Sequence, residues 1–375
     1  MRSLSDTIAR LAAFRAPRRI DQIAPIADRL FDVAISGSNP GALRARAYLP
    51  SGLPGGAPLA VVLHGCTQTA AGYDHASGWS RLADRDGFAL LFPEQQRSNN
   101  ANLCFNWFLP DDARRDAGEA LSIRQMIATL VGDHGLDERR VYIVGLSAGG
   151  AMASAMLAAY PEVFAGGAII AGLPYGCAAS APEAFDRMRG HGLPTEPRLQ
   201  ALLRAASPHD GPWPTISVWH GASDHVVEPA NAAAIVEQWR GVHKVDPTPT
   251  LNVVDGYPRR AWRNREGREV IEEYAIVGMG HGAPLATQGP DGLGVAAPFM
   301  LEAAISSTRR IAQFWGISSA AAHAPERDTR RNAASRASAA IGGEREPNER
   351  SAAPNLAAGI KKHIEEALRA AGLMR

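Results

Sequence analysis

Apolar positions along this chain alternate between two spacings. Leu59-Ala-Val-Val-Leu63 and Val141 to Val144 are short, continuous, β-branched runs, as expected of strands covered on both faces. Phe88 to Phe92, Ala168 to Ala171 and Thr215 to Trp219 read the same way. Helical segments lie between them: His75 to Asp86, Gly118 to His134, the Ala- and Met-rich stretch from Ser147 to Tyr160, and Pro229 to Val242. This alternation predicts an α/β fold, a mostly parallel sheet with helices on both faces. Phe31 to Ile35 and Ala42 to Leu49 flank a Gly-Ser-Asn-Pro-Gly turn and predict an antiparallel opening hairpin. Leu251 to Val254, Ala261 to Arg263 and Glu269 to Val277 predict late strands, the last two joined by Asn264-Arg-Glu-Gly267. Pro298 to Phe314 reads as a closing helix.

The two ends carry a different pattern. Leu4, Ile8, Leu11 and Ala12 share one helical face, so residues 1–30 read as a docking helix and a basic connector. That stretch lacks the continuous apolar core of a secretory signal, which makes a cytoplasmic location the expectation. Residues 31–317 read as the catalytic domain, with the Pro-rich stretch 175–213 as a cap-like insertion. From 318 to 354 large apolar residues almost vanish, the composition of a disordered linker. Residues 355–375 place Leu356, Ile360, Ile364 and Leu368 on a narrow stripe. An amphipathic helix there would dock on its own domain, self-associate or touch an apolar surface.

Composition narrows the classes. A hydrophobic fraction of 46% is enough for a sizeable core, and a formal net charge of +1 gives no reason to expect a nucleic-acid partner. No apolar run approaches a membrane span. The cysteines, Cys66, Cys104 and Cys177, are too few for a disulfide scaffold. Cys66 and Cys104 read either as a bridge or as two small buried apolar residues.

The chemistry is concentrated after strands. Gly145-Leu-Ser147-Ala-Gly149 is G-x-S-x-G between a predicted strand and a predicted helix, the context of a nucleophile elbow. Serine needs a base and the base needs an acid, in the chain order serine, acid, histidine. His281, between Gly280 and Gly282 after a long strand, is the candidate base. Asp224, a short turn beyond Thr215 to Trp219, is the candidate acid, with Asp255 the next to consider. His220 packs at a strand end in this reading, and His225 points elsewhere. The N–H groups of Ala148 and Cys66 are the expected oxyanion donors, with Thr67 the competitor of Cys66. Trp107, Tyr175 and Trp213 are candidate pocket residues.

Leu63-His-Gly-Cys-Thr-Gln68, Phe92-Pro-Glu-Gln95, Cys104-Phe-Asn-Trp-Phe108, Gly145-Leu-Ser-Ala-Gly-Gly-Ala-Met152, Ala171-Gly-Leu-Pro-Tyr175 and Gly278-Met-Gly-His-Gly282 occur in order. Together they resemble the polyhydroxybutyrate depolymerase family of esterases, which includes feruloyl and acetylxylan esterases. The resemblance runs from about residue 30 to about residue 316. It implies an α/β-hydrolase fold, a triad at Ser147, Asp224 and His281, and hydrolysis of a small or oligomeric ester with no metal and no cofactor. Many family members are extracellular, and this chain departs from them in showing no readable signal peptide and no polymer-binding domain. The resulting expectation is a serine carboxylesterase acting on short acyl or hydroxyacyl esters, poly(3-hydroxybutyrate) or its oligomers. A feruloyl or acetylxylan esterase is the alternative of the same chemistry, and a non-catalytic binding relative is the alternative of another class.

Overall fold

A computed structural model describes residues 28–319. The expected N-terminal helix, most of the linker and the tail helix lie outside the described residues.

Ten strands make one sheet. They are β1 (Phe31–Asp32), β2 (Arg44–Tyr48), β3 (Leu59–Leu63), β4 (Ala89–Glu94), β5 (Val141–Leu146), β6 (Gly166–Ile170), β7 (Thr215–Gly221), β8 (Thr250–Val254), β9 (Tyr257–Arg263) and β10 (Glu269–Ile276). Their spatial order is β1-β2-β4-β3-β5-β6-β7-β10-β9-β8. The six central strands from β4 to β10 run parallel, and antiparallel pairs close both edges. β11 (Ala283–Leu285) and β12 (Met300–Glu302) form a separate parallel pair.

The alternation within β3 builds two cores. Leu59, Val61 and Leu63 face one side, against α4 (Gly118–His134), α5 (Ala148–Ala159) and α8 (Ala230–His243). Ala60 and Val62 face the other, with α1 (Ala70–Ser77), α2 (Trp79–Asp86) and α9 (Ser307–Phe314). A strand sandwiched this way has no solvent face, hence its unbroken apolar sequence. Three further helices complete the fold: α3 (Pro110–Ala113), α6 (Ala181–Met188) and α7 (Glu196–Ala205). The last two occupy the stretch between β6 and β7.

Several expected boundaries change. The single helix expected from His75 to Asp86 is two helices that begin at Ala70 and meet at Gly78, whose left-handed φ of 75° ends α1. The helix expected from Pro298 is shorter and starts at Ser307. Phe299 (φ 64°) and Ala304 (φ 54°) interrupt helical geometry, and Met300–Glu302 pairs with Ala283–Leu285 instead. Ser306 supplies the true cap, accepting the Arg309 N–H at 3.3 Å. The strand expected at Ala261 to Arg263 starts at Tyr257, and the opening hairpin pairs only Phe31–Asp32 with Arg46–Ala47.

Candidate active site

β5 runs into α5 through Ser147, whose backbone sits at φ 57° and ψ −117°. This strained conformation holds at a turn that its surroundings over-determine. A Cβ on Gly145 would meet the Gly149 carbonyl, and one on Gly149 would meet the carbonyls of Leu63 and His64. Only glycine lets the strand, the helix and the end of β3 approach this closely. The Ser147 hydroxyl therefore stands at the N-terminus of α5, where helix N–H groups favour negative charge.

β10 and β7 deliver the other two groups. The turn after β7 is stitched to the loop after β10: Ala222 N–H donates to Ile276 O at 2.9 Å and Ser223 N–H to Met279 O at 2.9 Å. A Cβ on Gly221 would strike the carbonyls of Met279 and Gly280, so that residue type permits the contact. Asp224 and His281 thereby come together across 57 positions of sequence. His281 Nδ1–H donates to Asp224 Oδ2 at 2.7 Å, and Ser147 Oγ–H donates to His281 Nε2 at 2.9 Å. Asp224 is fully buried, and its Oδ1 accepts the N–H groups of Val226 and Val227, each at 2.9 Å. Burial works to raise the Asp224 pKa, but the nearby N–H groups of His220 and His281 outweigh it and hold the carboxyl well below its ordinary value.

The loop after β3 carries its donors in a defined state. Gly65 N–H is held by Gln68 Oε1 at 2.8 Å, Gln68 N–H by Gly65 O at 3.3 Å, and Thr67 N–H by Asn102 O at 2.7 Å. Among the described residues, the N–H groups of Cys66 and Ala148 have no such partner, and both residues border the same cavity. Cys66 is joined to Cys104 by a disulfide. Cys177 is a buried free thiol whose pKa burial pushes up to about 12.

The cavity over Ser147 measures about 390 Å³. Its rim on the β3 side is polar, with Thr67, Gln68, Asn100 and Asn102. Its other walls are apolar, and no Asp, Glu, Lys or Arg lines it. Trp107 lines it as expected. Tyr175 and Trp213 do not: both pack against the core beneath the sheet, Trp213 edge-on to Trp239 at 6.2 Å and Tyr175 with its N–H on Gln238.

In their place stand residues that the sequence reading passed over. Ala181, Ala184, Phe185 and Met188 present one face of α6 to the cavity, beside Leu173, Val226 and Val227. Their i, i+3, i+4, i+7 spacing after the cap Ser180 was the available signal, inside a Pro-rich stretch that reads as helical only in part. Phe299 closes the opposite side, 5.9 Å from the His281 ring.

Two polar groups behind the loops were also missed. His64 Nδ1–H donates to Gly65 O at 2.8 Å while Nε2 accepts the Gln95 N–H at 3.1 Å, which ties the loop after β3 to the end of β4. Burial lowers the His64 pKa, favouring the neutral ring that this pair of bonds requires. Glu119 on α4 is buried and accepts from Gln95 Nε2 (2.6 Å), Asn106 N (2.9 Å) and Asn106 Nδ2 (2.9 Å).

A family model described as esterase PHB depolymerase matches residues 43–251. The chain belongs to this PHB depolymerase family of esterases. It is 43% identical over 318 residues to the poly(3-hydroxyalkanoate) depolymerase C of Paucimonas lemoignei, a match covering 84% of this chain and 77% of that protein. It is 29% identical over 265 residues to an acetylxylan esterase of Coprinopsis cinerea, covering 69% of this chain and 70% of that protein. Among solved structures, the acetyl xylan esterase of Aspergillus awamori aligns with a TM-score of 0.65 at 22% identity, over 77% of this chain and 99% of that one. That likeness carries the fold, of α/β-hydrolase type. This PHB depolymerase-family member is a carboxylic ester hydrolase. No helix among its described residues is long and apolar enough to cross a membrane.

Proposed function

We propose that this esterase works through an acyl-enzyme on Ser147. The observation that carries the reading is the continuous hydrogen-bonded line Ser147 Oγ, His281, Asp224, at 2.9 and 2.7 Å. His281 Nε2 takes the serine proton as Oγ bonds to the ester carbonyl carbon. The carbonyl oxygen gains the negative charge, facing the N–H groups of Cys66 and Ala148. His281 then returns its proton to the alcohol oxygen as the C–O bond breaks. Water repeats the sequence on the acyl-enzyme, freeing the acid and restoring Ser147. Asp224 holds the imidazole in the Nδ1–H tautomer and stabilises the imidazolium.

The cavity supports one substrate class. Apart from Ser147 and His281, its walls are apolar and uncharged beyond the polar rim of Thr67, Gln68, Asn100 and Asn102. That supports short aliphatic acyl or hydroxyacyl esters, including oligomers of 3-hydroxybutyrate, in keeping with the named substrate class of the Paucimonas lemoignei relative. Ser147→Ala is expected to reduce kcat on p-nitrophenyl butyrate by about 10⁶, as loss of the nucleophile does in the subtilisin series. More than about 1% residual activity would remove Ser147 from the role. A panel of hydroxybutyrate dimers, feruloyl esters and acetylated xylo-oligosaccharides ranks the substrates, and inactivity on every ester would favour a binding protein.

A further inference from the structure

Asp224 has a second histidine on it. His220, one residue before the end of β7, is buried, and its Nε2 lies 2.8 Å from Val227 O and 3.4 Å from Asp224 Oδ2. A carbonyl accepts only, so Nε2 carries the proton. That N–H donates to the Val227 carbonyl and lies close to the same carboxylate oxygen that His281 uses, so its positive end faces the Asp224 charge. Val227 is held from both sides, since its own N–H donates to Asp224 Oδ1 at 2.9 Å. Nδ1 of His220 is buried without a hydrogen-bond partner among the described residues. An orphaned buried nitrogen carries a cost that a purely space-filling side chain would avoid. The ring earns its place through Nε2.

We propose that His220 is a positioning residue for the triad, which fixes the Asp224 carboxylate and draws negative charge from Oδ2. The proposal rests on the triad reading above. The groups facing Asp224 and His281 are each other, His220 and the Ser147 hydroxyl. His225 and Glu228, on the same turn, face one another at 3.5 Å toward solvent. Without the His220 N–H, the carboxylate charge falls on His281 alone. The imidazolium is then favoured, so the imidazole keeps its proton to higher pH and the carboxylate loses one of its anchors.

The test compares the full chain with His220→Leu, His220→Met and His220→Gln on p-nitrophenyl butyrate. Rates are expressed per site titrated by a fluorophosphonate, and circular dichroism identifies the folded variants. A folded Leu or Met variant is expected to lose about 10- to 100-fold in kcat, by analogy with the loss of partners that orient metal-ligating histidines, with KM within about twofold. The acid limb of its kcat/KM profile should move to higher pH. Gln, which retains an N–H donor, should restore most of kcat and the wild-type limb. A merely structural histidine would lower the melting temperature and leave the profile per titrated site unchanged. Wild-type kcat and an unmoved limb in a folded Leu or Met variant would overturn the proposal, as would a Gln variant as impaired as Leu. Failure of the triad reading itself shows separately, as activity retained in Ser147→Ala.

Discussion

Cys66 and Cys104 are bridged, with their Cα atoms 4.2 Å apart and 38 positions of sequence between them. The bond ties the loop that offers the Cys66 N–H to the loop that carries Trp107. Cys104→Ser removes the tie without touching the proposed oxyanion donor. It is expected to cost about 3 to 4 kcal/mol of stability from the loop-closure argument. It should lower kcat about tenfold, less than the loss of a whole oxyanion donor. Thermal unfolding and kcat, with and without a reductant, check both, and a wild type indifferent to reduction would sink the expectation.

Asp224→Asn should lower kcat by about 10⁴, because the amide favours the wrong imidazole tautomer while Ser147 and the donors remain. Asp255 is no substitute, since its carboxylate is paired with Arg310 at 2.6 and 2.9 Å. Full activity in the variant would show that another acid serves His281.

The pH profile separates the acid from the base. Asp224 has a folded-state pKa below its unfolded value, so its stabilising effect is present above the unfolded value and is lost only as pH falls through the folded one. It therefore stays charged to lower pH than an ordinary carboxylate. Activity is expected to decline on acidification well before Asp224 protonates, because the imidazole must be neutral to accept the serine proton. A kcat/KM profile flat down to about pH 4 would contradict a histidine base.

Glu119 sets a stability trend of the opposite sign. Burial pushes its pKa up to about 8, although amide N–H groups from Gln95 and Asn106 surround it. A raised folded-state value means stability is fullest below the unfolded value and is lost as pH rises through about 8. Relative to Glu119→Gln, the wild type should lose on the order of 1.4 kcal/mol per pH unit between about pH 5 and 8. Urea unfolding of the pair across that range measures the slope, and parallel curves would show that Glu119 does not exchange a proton on unfolding.

Met188 and Phe185 form the wall of the cavity that α6 supplies. Met188→Trp should narrow it. Hydrolysis of p-nitrophenyl hexanoate should then fall at least about fivefold more than that of the acetate, since an overfilled apolar site costs about 1 kcal/mol or more. Equal losses on both esters would place the acyl chain elsewhere.

The sequence alone determined the alternation of strands and helices that makes a mostly parallel sheet, and it singled out Ser147, Asp224 and His281 as candidates. Central strands buried on both faces have no choice but an unbroken apolar run, so Leu59–Leu63 and Val141–Leu146 announce themselves locally. A strained turn such as Ser147 demands small neighbours, so Gly145 and Gly149 mark it equally locally. The short turn after Thr215 to Trp219 and the glycines beside His281 then marked Asp224 and His281 as the other two candidates. What no local pattern encodes is which surface a side chain meets. Tyr175 and Trp213 are aromatic and near the insertion, yet the packing of α7 and α8 draws them into the core. The cavity wall fell to the short helix Ala181–Met188, and the end of the chain broke into β12 and α9 because Met300–Glu302 found a partner in Ala283–Leu285. The choice of Cys66 over Thr67 as free donor was likewise decided by a contact from another loop, Asn102 O on Thr67 N–H. Hydrogen-bond partners distant in sequence decide such cases, and only tertiary structure brings them together.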